Sequence, residues 1–168
     1  INAGEPDPAE KPTPSPSKNT LDARAGAPTD FKVNFTGTEN LEVSIQKSAL
    51  DDTIRVSAGK TADNMWTVTV TLADEPKHSS YLLHIYPAGD TSRSATVTVN
   101  VVPHKAKVVE SGKTTYLDDL SCTLTADDGS MQITLLADIE IGAYSDPLTL
   151  RGGSPITLDL GGHSIAYV

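Results

Sequence analysis

The sequence predicts an all-β chain: a two-layer sandwich followed by the first coils of a structure that stacks on itself, entered through a proline-rich linker. Three observations lead there. Apolar and polar residues alternate through the middle of the chain, as strands with one buried face require. Thr, Ser, Val and Leu dominate, while the Ala-Leu-Glu-Lys composition of helices is nearly absent. Finally, Ile133-Thr134-Leu135-Leu136-Ala137-Asp138-Ile139 returns 23 residues later as Ile156-Thr157-Leu158-Asp159-Leu160-Gly161-Gly162-His163-Ser164-Ile165, with a third short strand, Leu148-Thr149-Leu150, between the copies. Short strands at a period of about two dozen residues mark a β-solenoid. One or two turns cannot bury the faces of such a coil, so the reading continues it past Val168.

Residues 1–29 form the linker. Pro6, Pro8, Pro12, Pro14, Pro16 and Pro28 fix φ and remove donors, which predicts an extended, solvated and disordered spacer. Its PxxP pattern lacks the basic residues that a ligand of an SH3-like domain carries.

Residues 30–103 read as the sandwich. Phe31, Val33 and Phe35 alternate with Lys32, Asn34 and Thr36; Leu41, Val43 and Ile45 follow the same rule, and Ile54 and Val56 make a shorter run. Trp66, Val68, Val70 and Leu72 face one way against Thr67, Thr69 and Thr71, and Ala95, Val97, Val99 and Val101 do so against Thr96, Thr98 and Asn100. Tyr81 to Tyr86 is apolar on both faces, which predicts a central strand. Turns are expected at Thr36-Gly37-Thr38, Ala58-Gly59-Lys60, Ala73 to Pro76 and Pro87-Ala88-Gly89-Asp90.

Residues 104–130 read as a polar connection ending at Ser111-Gly112-Lys113, then a capping helix. Tyr116, Leu117, Leu120 and Leu124 recur at three- and four-residue steps, Thr115 is placed as N-cap, and Asp127-Asp128-Gly129 is the stop. Such a helix would cover the open end of the first coil, with Cys122 as an inert packing residue. Residues 131–168 are the first coils, a truncated array that further coils are expected to follow.

Composition excludes several functions. A net charge of −9 disfavours nucleic acid, which needs a basic surface. No segment approaches the roughly 18 apolar residues of a membrane span, so no direct membrane insertion is expected. The single cysteine, Cys122, forms no internal disulfide. Ile1 in place of an initiator methionine reads as a processed or trimmed start.

The strand pattern of 30–103, ending in Thr96-Val97-Thr98-Val99-Asn100-Val101-Val102 before Pro103, resembles the immunoglobulin-like or fibronectin-type modules of bacterial surface proteins. The cysteine pair of antibody domains is absent. From Met131 onward, the two repeat copies resemble the opening of a right-handed parallel β-helix of the pectate-lyase-like fold. The second copy is similar to a strand, Leu-Asp-Leu, Asn-Gly-His, Thr-Ile element of surface β-helix proteins, with Gly161 and Ser164 as departures.

Candidate sites are few. Asp159 and His163 are four apart, but they sit in a coil-turn element and read as a corner, as does Asp138. The doublets Asp51-Asp52, Asp118-Asp119 and Asp127-Asp128 lack the alternating spacing of a calcium loop. If a structural calcium ion binds, Asp127 and Asp128 are its place. Zinc is excluded because His78, His84, His104 and His163 are scattered. Ser44-Ile45-Gln46-Lys47 and Ser57-Ala58-Gly59-Lys60 match a Ser-x-x-Lys string on a strand and in a turn, whereas that chemistry uses a helix N-terminus. Asn34-Phe35-Thr36 is a glycosylation sequon. Among Trp66, Tyr81 and Tyr86, only Tyr86 is expected to be exposed and able to contact a ligand.

The two resemblances together imply a non-catalytic spacer or presentation segment of an exported, cell-wall-associated protein of Gram-positive type, adhesin-like, with no cofactor. Its expected partner is a host or dietary glycan or another surface protein. The alternatives are an accessory part of a β-helix polysaccharide lyase or glycoside hydrolase, whose catalytic groups would lie downstream, and a glycan-binding module.

Overall fold

The computed structural model describes residues 11–46, 52–127, 129–142 and 148–168. Among these, every regular element is a strand except one short 3-10 turn, Thr91–Arg93, so the chain is all-β. It divides into two compact units, Ile1–Ala23 with Ala27–Val101, and Arg24–Gly26 with Val102–Val168.

The first unit is a sandwich of two four-stranded sheets. One contains β1 (Ser15–Pro16), β3 (Thr29–Asn34), β5 (Ile54–Ala62) and β6 (Met65–Leu72), in the order β1-β3-β6-β5. The other contains β2 (Thr20–Ala23), β4 (Leu41–Ile45), β7 (Ser80–Pro87) and β8 (Ala95–Val101), in the order β2-β8-β7-β4. Neighbours are antiparallel except β2 beside β8. With β1, β3, β6 and β5 as strands A, B, E and D, and β8, β7 and β4 as G, F and C, this is the strand order of an immunoglobulin sandwich. Both inner faces meet in one core that includes Val33, Trp66, Val68, Leu83, Ile85, Val97 and Val99. Each of these alternates with a more exposed neighbour, so the period-two pattern places them.

Two expectations for this unit are corrected. The stretch assigned to a disordered linker contributes β1 and β2, and Leu21 and Ala23 are buried in the core. Their alternation with Thr20 and Asp22 is short and flanked by prolines, so proline density outweighed it in the sequence. Pro16 sits on edge strand β1, where a missing N–H leaves no ladder bond unmade. Arg93 also anchors this segment, since its Nη1 donates to the Pro12 carbonyl at 2.8 Å. The turn expected at Ala58-Gly59-Lys60 lies inside β5, which continues with a bulge between Lys60 and Ala62. The chain reverses instead at Asn64, which takes the left-handed conformation (φ 57°) that Asn tolerates.

In the second unit, β9 (Ala106–Glu110) and β10 (Lys113–Leu117) form a hairpin. Its two-residue turn, Ser111 (φ 49°) and Gly112 (φ 79°), has the positive φ values that match the twist of paired strands. Then come β11 (Thr123–Ala126), β12 (Met131–Leu135) and β13 (Ile139–Ile141), followed by β14 (Thr149–Gly152), β15 (Ile156–Asp159) and β16 (Ile165–Tyr167). Each strand of the first trio pairs in parallel with its counterpart in the second. β9 lies antiparallel along the other edge of β12. The core is Ala106, Val108, Leu120, Ala126, Met131, Ile133, Leu135 and Ile139.

The expected capping helix is not formed. Tyr116 and Leu117 end β10, Leu120 is buried in the connection, and Leu124 lies on β11. A strand, a turn and a strand thus give the three- and four-residue spacing of a helix. Thr114, Thr115 and Tyr116 favour strand. Asp119 turns the chain locally, its Oδ1 accepting the Ser121 N–H at 3.0 Å. The edge of β12 is covered by the β9–β10 hairpin in place of the helix.

The repeat register also differs from the sequence offset of 23. Ile156 pairs with Met131, and Leu158 with Ile133, 25 residues apart, while Thr149 pairs with Thr123 and Ile165 with Ile139, 26 apart. For β12 and β15 the slip is two residues, which keeps every side chain on the same face, so apolar matching does not detect it. Corner contacts set the register. Asp138 Oδ1 accepts the Ser164 N–H at 2.8 Å and its hydroxyl at 3.1 Å, and the Ile139 N–H donates to the Ser164 carbonyl at 2.8 Å.

Candidate functional site

The outer face of the sandwich carries a shallow depression of about 170 Å³ lined by Ser44, His84, Tyr86, Thr91 and Ser94. Parity explains it. Leu83, Ile85 and Pro87 of β7 point into the core, so His84 and Tyr86 stand on the outer face. On β4, Ser44 pairs with His84 and Glu42 with Tyr86. Thr91 and Ser94 come from the 3-10 turn and its C-cap.

That turn is braced. Asp90 Oδ1 accepts the Ser92 N–H at 3.2 Å and its hydroxyl at 2.5 Å. Arg93 Nε donates to Asp90 Oδ2 at 2.8 Å, and Arg93 Nη2 to Glu39 Oε1 at 2.7 Å. The Ser92 and Arg93 donors hold the Asp90 carboxyl below its usual range, and Arg93 does the same for Glu39. The wall carrying Thr91 is therefore tied to β4's approach and to the N-terminal segment before any ligand arrives.

The other expected aromatics are internal. Trp66 is 6% exposed and Tyr81 1%, with the Tyr81 hydroxyl 3.0 Å from Thr53 Oγ1. Alternation put Trp66 inside and the place before Pro87 singled out Tyr86, but neither revealed Ser44, His84, Thr91 and Ser94 beside it. The pairing of β4 with β7 brings them together, and the signal available beforehand was only their shared parity.

The carboxylates of the second unit work on structure. Asp159 Oδ1 accepts the Gly161 N–H at 2.9 Å, while His163 Nδ1 lies 3.7 Å from Asp138, so Asp159 and His163 form no acid/base pair. The Ser164 N–H and hydroxyl lower the Asp138 carboxyl first, and His163 adds to that. Asp127 is exposed, and Asp128 lies outside the described residues. Among the described residues, no three His, Cys, Asp or Glu are grouped to hold a metal ion. Burial pushes the Cys122 thiol up, away from the reactive thiolate.

One cluster had no sequence signal because its members are far apart in the chain. His104 Nε2 donates to the Ala25 carbonyl at 3.0 Å, its Nδ1 lies 2.6 Å from Asp118 Oδ1, and its ring stacks on Tyr116 at 4.8 Å. Arg24 pairs with the other Asp118 oxygen. The His104 bond, followed by Arg24, holds the Asp118 carboxyl below its usual range against desolvation. A carboxyl depressed in the fold contributes stability above its unfolded pKa and loses it as pH falls through the folded value. Acidification below about pH 4 is therefore expected to loosen this cluster, and Asp118→Asn to remove that part of the acid sensitivity. A carboxyl carbon NMR titration checks it; a midpoint at or above that of an unstructured Asp peptide would contradict the pairing.

No family model matches the chain, and no curated protein sequence matches it significantly. Among solved structures it is similar to domains 5–6 of the S-layer protein SbsC, at 23% identity and a TM-score of 0.42, covering 61% of this chain and 53% of that one. It is also similar to the Yersinia pseudotuberculosis adhesin InvE, at 11% identity and a TM-score of 0.41, covering 58% of this chain and 28% of that one. A titin I27 domain mutant matches at 7% identity and a TM-score of 0.36, covering 53% and 88%. This chain thus spans about half of the first of these and just over a quarter of the second.

Proposed function

We propose that the chain is a non-catalytic spacer and presentation segment of an exported cell-surface protein, in which the sandwich leads into the first two coils of a parallel β-helix. The observation behind this is the inequality of the two edges of the stacked strands. On one edge, β9 and β10 cover β12. On the other, Leu150, Leu158 and Ile165 are exposed at 38%, 40% and 39%. They stand in register with Leu124, Ile133 and Ile139 of the preceding strands, and Ile133 and Ile139 are buried. Residues at equivalent positions differ in exposure because, among the described residues, no strand pairs with the far edge of β14, β15 or β16. The occupant that fits parallel strands with this register is a further coil of the same chain.

In this reading the hairpin blunts one sheet edge against aggregation. Peptide mapping and intact mass of the natural protein test the coil. Sequence past Val168 whose apolar alternation returns every 25 or 26 residues is the expected result. A chain ending at Val168, or continuing without that pattern, would overturn it. The surface assignment is tested by labelling intact source cells with a membrane-impermeant amine reagent. Labelling only after lysis would refute it.

A further inference from the structure

We propose that the outer face of β4 and β7 around Tyr86 binds one ring of a neutral saccharide. This goes beyond the spacer role and does not depend on it. Three features of the depression specify that ligand.

The first is the pairing of a half-buried aromatic with hydroxyls. Tyr86 is half-buried on the outer face of β7, and Ser44, Thr91 and Ser94, each carrying a hydroxyl, line the same depression together with His84. The C–H groups on one face of a pyranose are weakly positive and lie well against the negative face of an aromatic ring. Hydroxyls, each both donor and acceptor, match the hydroxyls on the sugar's rim.

The second is charge. Among the described lining residues there is no lysine or arginine. Glu42, exposed, is the cross-strand partner of Tyr86, and Arg93 already serves Asp90, Glu39 and the Pro12 carbonyl. An anionic sugar would meet repulsion there without a cation to offset it. A neutral ring meets neither.

The third is size and preparation. At about 170 Å³ the depression is smaller than the roughly 300–1,000 Å³ of sites that enclose a whole ligand. It suits one ring of a chain that lies across the sheet. The Asp90–Arg93–Glu39 bracing fixes the Thr91 wall in advance, so little ordering accompanies binding. A single open subsite of this kind implies a Kd on the order of 1 mM.

The test is a titration of the isotope-labelled full chain with maltohexaose, cellohexaose and mannohexaose, with trigalacturonate as the charged control, followed by amide NMR shifts. At least one neutral oligosaccharide is expected to shift amides of β4, β7 and residues 90–94, with trigalacturonate inert. Tyr86→Phe should retain the affinity and Tyr86→Ala should weaken it roughly tenfold. Amides of β3 and β6 report whether the alanine variant is folded. Should it not be, His84→Ala and Thr91→Ala, on the same outer surface, are expected to weaken binding in its place. The proposal is overturned if no neutral oligosaccharide shifts these amides at on the order of 20 mM, well above the expected Kd. It is equally overturned if trigalacturonate alone does so, if the shifts fall elsewhere, or if the folded variants bind as well as the parent.

Discussion

Trp66→Ala is expected to remove about 3–5 kcal/mol from the stability of the sandwich, the largest effect of any single substitution considered for that unit. Trp66 is the only tryptophan, is 6% exposed, and sits on β6 between Val33 of β3 and Lys60 of β5 in register. Its indole lies in the same core as Phe31, Leu83 and Val97, contributed by both sheets. Truncation both returns transfer free energy and leaves a cavity that rigid sheets close poorly. Domains have only about 5–15 kcal/mol in hand, so the loss takes a large share of the total and leaves the variant close to unfolding if the sandwich lies near the low end of that range. Urea denaturation followed by far-UV circular dichroism gives the value. A loss under about 1 kcal/mol would mean that Trp66 faces solvent and would reopen it as a sugar platform.

Gly152→Ala should disrupt the stacked strands of the second unit, at about 3 kcal/mol or more. A methyl group there would stand 2.3 Å from the Ala126 carbonyl oxygen and 2.8 Å from the Ala126 carbonyl carbon, and Gly152 has φ 129°. Ala126 is its partner in the parallel pairing of β11 and β14, so the obstacle is backbone and does not rotate away. Only a residue without Cβ lets the two strands approach at this corner. Gly153→Ala is the control, since a Cβ there meets nothing within 4 Å. Hydrogen exchange at the Thr149 amide, which donates to the Cys122 carbonyl at 2.9 Å, reads the outcome. Equal protection in the Gly152 and Gly153 variants would show that the strands do not stack in this register.

What could be read in advance follows the range of each interaction. Alternation is local, so the buried faces of β3, β6 and β8 and the internal position of Trp66 were legible from neighbours two residues apart, whereas β7, apolar on both sides in sequence, buries only one. Tyr86 was singled out by its place before Pro87, and the structure puts it half-buried on the outer face of β7. Its neighbours were not legible, because Ser44 and Thr91 reach it only through strand pairing and a braced turn.

The sequence alone determined that the chain is all-β, where its apolar faces lie, and that a strand motif recurs near its end. Tertiary structure decided the rest. Leu21 and Ala23 became core because β8 offers an edge for β2 to pair with, despite the prolines around them. Residues 116–124 became strand and turn because β9 provides a ladder for β10, which outweighs a spacing shared with helices. β12 and β15 pair 25 residues apart and not 23, a two-residue slip that leaves side-chain faces unchanged and so leaves no trace in the apolar pattern, while the flanking strands pair 26 apart. The choice of register then falls to a few corner groups: Asp138 bonded to Ser164, and Gly152 against Ala126. Such contacts join residues far apart in the chain, and no local pattern carries them.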